Sequence, residues 1–344
     1  MTAVQNTQVL FVKRPEGSIV PQEVFRLTRS PRPTPAAGQV LVRSLYLSLD
    51  PAMRGWMNNT RSYIAPVELG AVMRGSVVAE VVESRADTFK PGDIVVGVIG
   101  WQQYAALDAQ QLTLLPVPRG MSIPAAFHLL SITGMTAYFG LLDVGRPKAG
   151  ETVVVSGAAG ATGSITAQIA KLHGCRVVGI AGGAEKCRHL TEELGLDAAV
   201  DYRSPTFHKD LARATPSYIN VFFDNVGGDV LDAVLGRLAK GARIVLCGAI
   251  SQYNTRKVQG PRNYMTLISQ TARMEGFVVF DYEKQYPQAM KELVRWQQEG
   301  KIKLSLHIVD GLEQAPDALL MLFNGKNKGK LLVKIAEPSS HAHL

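Results

Sequence analysis

Three glycines, Gly157, Gly160 and Gly163, recur at intervals of three in the segment Val153-Val154-Val155-Ser156-Gly157-Ala158-Ala159-Gly160-Ala161-Thr162-Gly163. An apolar strand leads into them, and the helical pattern Ile165, Ile169, Leu172 follows. Strand, glycine turn and helix in that order form the phosphate-binding opening of a dinucleotide-binding βαβ unit. Gly157 and Gly160 bring the backbone up to a pyrophosphate with no Cβ in the way. Gly163 lets the helix pack close to the sheet, and the helix N-terminus offers N–H groups and a positive dipole end to the phosphates. Glycines at this spacing also occur in ordinary strand-to-helix turns, so the surrounding residues must decide between the two.

Units that prefer NAD carry an acidic residue about 20 residues past the glycines, where it binds the ribose hydroxyls. Here the second strand ends in Ala181-Gly182-Gly183-Ala184, and the first acid, Glu185, already lies in the next helix. Lys186 and Arg188 stand beside it, and Tyr202 and Arg203 follow the third strand. A missing carboxylate with cations at hand is what a 2′-phosphate requires, so NADPH is expected over NADH. The alternative for Lys186 is a solvated lysine at a helix N-terminus.

Catalytic zinc needs thiolate and imidazole ligands. Before residue 130 the chain has no cysteine and one histidine, His128, set in the apolar run Ala125-Ala126-Phe127-His128-Leu129-Leu130. His128 reads as a structural histidine, and no metal is expected. Without zinc to polarise an alcohol, hydride transfer to an already electrophilic conjugated C=C is the easier chemistry.

Two kinds of element must position these groups. Short strands separated by Pro, Gly and Asp turns fill the first third: Val40–Leu47, Gly75–Val82 and Ile94–Val98. They suggest a barrel-like β domain. Ser30-Pro31-Arg32-Pro33-Thr34-Pro35 reads as an exposed connection. From about residue 130 strands and helices alternate, with strands at Cys175–Ala181, Ile219–Asp224 and Ala242–Gly248, which argues for a doubly wound parallel sheet. A helix is expected over Tyr286–Gln297, and the strand-like Lys330–Ile335 returns to the first domain.

At 344 residues the chain suits two domains. Its net charge of +8 comes from scattered basic residues, which argues against nucleic acid. Cys175, Cys187 and Cys247 are too dispersed for a disulfide framework. No apolar run reaches the roughly 18–20 residues of a membrane span. The segment Met1–Gln8 does not read as a signal peptide, so a cytoplasmic location is expected.

Taken together, the motifs resemble the zinc-independent branch of the medium-chain dehydrogenase/reductases. Within that branch the chain looks like the leukotriene hydroxydehydrogenase/prostaglandin reductase family, which includes bacterial curcumin reductases and plant double-bond reductases. The matching stretches are Leu49–Arg54, Gly134–Tyr138, Gly157–Gly163, Asp224–Gly228, Cys247–Asn254 and Met274–Val279. The resemblance implies an α/β fold with a GroES-like β-barrel domain over 1–128 and 304–344 and a Rossmann NADPH-binding domain over 129–303.

It also implies residue roles. Gly160, Ala161, Thr162 and Gly163 contact the pyrophosphate, Lys186 and Tyr202 surround the 2′-phosphate, and Asn225 sits beside the ribose. Cys247, Gly248, Ala249, Ile250, Ser251 and Tyr253 wrap the cofactor. Phe277, Val278 and Val279 face the nicotinamide amide, Asn327 reaches the cofactor from the returning tail, and Thr136 joins the set. Several family members carry a tyrosine near the substrate eight residues before the Phe-Val-Val motif; that position here is Ser269. A serine hydroxyl is shorter and far less acidic than a phenol. Tyr264, Tyr63 and Tyr253 are the substitute catalytic candidates, with packing aromatics as the alternative reading. Arg54, Trp56 and Met57 either border a substrate cleft or serve as interdomain packing residues.

The reaction expected is hydride transfer from NADPH to the β-carbon of an α,β-unsaturated ketone or aldehyde, with a hydroxyl stabilising the enolate oxygen. The rivals are a quinone reductase and a non-catalytic NADPH-, RNA- or partner-binding protein. A homodimer is expected through the strand Gly276–Phe280.

Overall fold

Apolar residues of the early strands build the interior of the first third of the chain. The computed structural model describes residues 4–343. Met1, Thr2 and Ala3 of the leader reading, and Leu344 at the end of the expected barrel domain, lie outside the described residues. The chain divides into two units, one comprising Met1–Phe127, Leu306–Asn327 and Leu331–Leu344, the other His128–Ser305 and Lys328–Lys330.

In the first unit β1 (Gln5–Phe11) and β2 (Phe25–Pro31) form an antiparallel pair. A seven-stranded sheet follows the path β14 (Leu306–Asp310), β15 (Lys330–Lys334), β3 (Gln39–Ser48), β4 (Val77–Ser84), β5 (Ile94–Gly97) and β7 (Leu112–Leu114), with β6 (Tyr104–Asp108) laid on β3. β3 is the hub, antiparallel to β4, β6 and β15, and seven of its eight residues from Val40 to Leu47 are buried, Arg43 being the exception. Val42, Leu47, Val77, Val95, Trp101 and Val333 belong to its core. Ser30 and Pro31 correct one expectation: they complete β2, paired with Asn6 and Gln5, and the connection starts at Arg32. A proline fits there because a two-stranded ladder consists only of edge strands.

The second unit is a six-stranded parallel sheet. Its strands are β8 (Thr152–Ser156), β9 (Arg176–Ala181), β10 (Ala198–Asp201), β11 (Ile219–Asp224), β12 (Leu238–Leu246) and β13 (Arg273–Gly276), in the order β10-β9-β8-β11-β12-β13. Counted from the first strand of the sheet this is 3-2-1-4-5-6, the doubly wound dinucleotide order, which reverses between β8 and β11. Ligands of such sheets bind outside the C-terminal ends of the strands at that switch point. The strands are apolar on both faces, as helix-covered parallel strands must be: Val153, Val154, Val155, Phe222 and Phe223 are fully buried.

Two expectations change here. The strand expected over Gly276–Phe280 ends at Gly276, and Val279–Gln285 is a 3-10 helix. A Cβ on Gly140 would lie 2.5 Å from the Phe277 ring, which shows how closely that ring packs on Gly140 just past the end of the ladder. The helical run Ile123–Gly145, interrupted at the extended Ser131, is long and apolar enough, by length and composition, to cross a membrane. Yet 67% of its apolar window is buried inside the protein, so its residues serve as core.

Candidate dinucleotide site

The glycine turn joins β8 to the helix Ala161–Leu172. Gly157 has φ +59°, a conformation that excludes most side chains, and its carbonyl accepts the Gly160 N–H at 2.9 Å. A Cβ on Gly163 would stand 2.4 Å from the Gly157 oxygen and 2.9 Å from Ala158 Cα. The third glycine therefore sets how closely the helix seats on the turn. The backbone at Gly160, Ala161, Thr162 and Gly163 forms the helix start, where N–H groups lack intrahelical acceptors.

The switch point is built around one carboxylate. Asp224, fully buried at the end of β11, accepts Ser156 Oγ at 2.7 Å, Val226 N at 2.9 Å and Gly227 N at 3.1 Å. Burial raises its pKa, and these three donors oppose the rise. Ser156 in turn accepts the Asn225 N–H at 2.8 Å, and Asn225 Nδ2 donates to the Ser156 carbonyl at 2.7 Å. Asn225 is thereby fixed between the ends of β8 and β11.

The loop after β12 is laced onto the same place. Cys247 N and Gly248 N both donate to the Asp224 carbonyl, Ile250 N to that of Asn225, and Ser251 N to that of Val226. Ala249 N donates to the Tyr253 hydroxyl at 3.1 Å, so the phenol folds back over its own loop. The Cys247 thiol, pushed up to about 12 by burial and then by Asp224, stays protonated and is not a nucleophile. The structure thus brings Asn225, Cys247, Gly248, Ala249, Ile250, Ser251 and Tyr253 together beside the glycine turn.

At the other side of the turn, a Cβ on Gly182 would meet Tyr202 Cε1 at 2.8 Å and Arg203 Nε at 2.9 Å. Gly182 therefore leaves room for that pair. The Arg203 guanidinium lies 5.6 Å from the Tyr202 ring centre. Lys186 is half-buried, and burial followed by the Arg203 charge lowers its pKa. Two cations and a phenol converge, an arrangement suited to a phosphate monoester.

Other sequence candidates stand apart from this group. Thr136 Oγ1 bonds back to the Ile132 carbonyl within its helix at 2.6 Å. Phe277 packs on Gly140, and the Val279 carbonyl accepts the Tyr286 hydroxyl at 3.0 Å. Tyr264 is 55% exposed in a 3-10 turn whose Asn263 is held by Asp232. Ser269 Oγ donates to the Thr266 carbonyl at 3.2 Å. In the first unit the Tyr63 hydroxyl accepts Trp56 Nε1 at 2.9 Å, and the Arg74 guanidinium lies 5.8 Å from the Trp56 ring centre. Arg54 and Met57 are interior residues: Arg54 donates to the Pro15 and Gly17 carbonyls and to Asn58, and Met57 is fully buried.

Asn327 is a buried residue of the first unit, whereas Lys328–Lys330 belong to the second. Within the second unit Gly329, absent from the sequence candidates, lies on the glycine turn: its N–H donates to Ala159 at 2.9 Å, and it forms a parallel bridge with Gly160. Its φ of +72°, and a would-be Cβ 2.1 Å from the Ser305 oxygen, require glycine. The glycine that starts a returning strand was the signal available in the sequence. Asp201 and Asp224 were missed as well, because their carboxylates act on backbone groups that only the fold assembles.

Residues 7–115 match the family described as the N-terminal domain of oxidoreductase, and residues 161–295 the family described as zinc-binding dehydrogenase. The residues do not fit the zinc of that description: among the described residues no three His, Cys, Asp or Glu gather to hold a metal. The NADPH-dependent curcumin reductase of Escherichia coli is 43% identical over 96% of this chain and 97% of its own length. Prostaglandin reductase 1 of Mus musculus is 40% identical over 90% and 93%. The crystal structure of CurA from Vibrio vulnificus in complex with NADPH superposes with a TM-score of 0.91 at 42% identity, covering 96% of this chain and 100% of that one. With its two-domain architecture, its 3-2-1-4-5-6 sheet and these relatives, the chain belongs to the leukotriene hydroxydehydrogenase/prostaglandin reductase family of medium-chain dehydrogenase/reductases.

Proposed function

We propose that this protein is an NADPH-dependent oxidoreductase that reduces the C=C bond of α,β-unsaturated ketones and aldehydes. The observation that carries the reading is the group of Lys186, Tyr202 and Arg203 beside a glycine turn shaped for pyrophosphate, in a chain whose relatives are curcumin and prostaglandin reductases. When bound, the reduced nicotinamide supplies the hydride received by the substrate β-carbon.

The chain contributes binding, orientation and charge stabilisation. Gly160 brings the backbone up to the pyrophosphate and the N–H groups of Ala161, Thr162 and Gly163 take it, while Lys186 and Tyr202 take the 2′-phosphate and Asn225 the ribose. Cys247 to Ser251 and Tyr253 cover the cofactor, with Thr136 and Phe277 to Val279 at its nicotinamide end. Negative charge moves to the substrate carbonyl oxygen as its β-carbon is reduced, and a phenol O–H donated to that oxygen stabilises it. Of the three candidate phenols, Tyr253 stands on the loop laced to the switch point, where its oxygen accepts Ala249 N. Protonation of the α-carbon by water completes the saturated ketone or aldehyde.

The same reading carries a cytoplasmic homodimer acting on small molecules, without nucleic-acid or membrane partners; sedimentation velocity tests the dimer. The activity is tested by following NADPH oxidation with simple enones, with a quinone in parallel, and identifying the products. The expected product is the saturated ketone, and Tyr253→Phe lowers kcat by about 100-fold while Tyr264→Phe leaves it unchanged. Tight NADPH binding with no turnover of any conjugated carbonyl refutes the reading in favour of a binding protein.

A further inference from the structure

Asp201, the last residue of β10, is the carboxylate built into the loops that carry the Lys186, Tyr202 and Arg203 group. One of its oxygens, Oδ1, accepts two backbone N–H groups, Gly183 N and Arg203 N, each at 2.9 Å. Gly183 lies in the turn after β9 and precedes the helix Ala184–Arg188, which carries Lys186. Arg203 lies in the turn after β10. A single oxygen therefore clasps the two turns from which the cations project.

The strands beneath set up this clasp. Asp201 pairs in parallel register with Ala181, and Tyr202 N donates to the Ala181 carbonyl at 3.1 Å. Gly183 turns away at φ +94°, and Gly182 leaves the space that Tyr202 and Arg203 fill. A carboxylate facing the ligand here would repel a phosphate. With Oδ1 directed at two N–H dipoles, the same carboxylate shapes a phosphate site.

We infer that Asp201 is the positioning residue for cofactor selection, setting Lys186, Tyr202 and Arg203 at the spacing that accepts a 2′-phosphate, and that it acts through the acceptor position of Oδ1 rather than through its charge. The inference rests on the NADPH reading above, and its test separates the two. Calorimetry compares 2′,5′-ADP with 5′-AMP on the full-length protein and its variants. The natural chain prefers 2′,5′-ADP. Asp201→Ala lowers that preference by about tenfold with 5′-AMP affinity unchanged. Asp201→Asn, which keeps an oxygen at the same place without the charge, restores the preference. Asp201→Glu, which keeps the charge but moves the oxygen one bond outward, behaves like the alanine variant and carries the test if the alanine variant fails to fold.

A preference that survives in both Asp201→Ala and Asp201→Glu, or an equal loss of both ligands, overturns the clasp alone. Failure of Asp201→Asn to restore the preference overturns the acceptor account. Equal binding of the two ligands by the natural chain overturns the NADPH reading and the clasp together.

Discussion

Replacing Gly163 by alanine probes the seating of the phosphate-binding helix. The new Cβ would lie 2.4 Å from the Gly157 oxygen, whereas ordinary contact begins at 3.4 Å, so helix and turn must separate by about 1 Å. Both partners are backbone, and no side chain can swing aside. Overpacking of this kind costs about 1–3 kcal/mol. For a unit of this size that lowers Tm by roughly 2–12 °C, at about 2–4 °C per kcal/mol. The same retreat draws helix N–H groups away from the pyrophosphate, and loss of one charge-assisted hydrogen bond, worth about 1.5–3 kcal/mol, weakens NADPH binding about 10–150-fold. Two further variants set the scale. Gly160→Ala meets only the Gly157 oxygen, at 3.1 Å, and costs less stability. Gly55→Ala, on a short helix with nothing within 4 Å of the new Cβ, is neutral or stabilising by up to about 1 kcal/mol. Thermal unfolding by circular dichroism and titration of NADPH fluorescence measure both effects. A Gly163→Ala protein that melts with the natural chain and binds NADPH as tightly refutes the reasoning.

Lys186→Ala raises the KM for NADPH by about tenfold or more and leaves that for NADH unchanged, in steady-state kinetics with both cofactors, whereas a merely solvated lysine would change neither. Asp224→Ala strands three donors in a buried site at roughly 1–3 kcal/mol each, and denaturant unfolding reads the loss. Because burial raises the Asp224 pKa, the folded state keeps a proton that the unfolded chain has already released. Its contribution relative to Asp224→Asn therefore falls as pH rises from about 4, and denaturation of both proteins between roughly pH 4 and pH 7 shows it. A difference that grows with pH contradicts the assignment. Burial holds the Cys247 thiol at about 12 and the Cys175 thiol at about 11, so at pH 8 roughly one in ten thousand and one in a thousand are thiolate. Iodoacetamide should label both slowly in the folded protein and quickly in denaturant, as peptide mass spectrometry would report.

The site was legible in the sequence where its function rests on backbone shape. Gly157, Gly160 and Gly163 carry their meaning in residue type and spacing, because glycine adopts the positive φ at 157 without strain and nothing larger fits the 2.4 Å approach at 163. The strands were legible for a similar reason: buried parallel strands are apolar throughout. Boundaries were not. Ser30 and Pro31 look like a linker and complete β2, and Phe277 to Phe280 look like a strand but leave the ladder, with the Phe277 ring on Gly140 and Val279 and Phe280 in a 3-10 helix. In both places tertiary packing overrode local preference.

By itself, then, the sequence determined the two-domain α/β plan, the glycine turn, the lack of a zinc donor set and the cations suited to NADPH, all properties of residue identity and short-range spacing. Only the tertiary structure decided what two strand-end acids do. Asp201 and Asp224 read in the sequence as strand-end carboxylates indistinguishable from solvated ones. The parallel sheet brings Gly183 to Arg203, and Ser156 to Asn225, across gaps of about 20 and 69 residues. A carboxylate placed between such loops satisfies their N–H groups, and no pattern along the chain records that convergence.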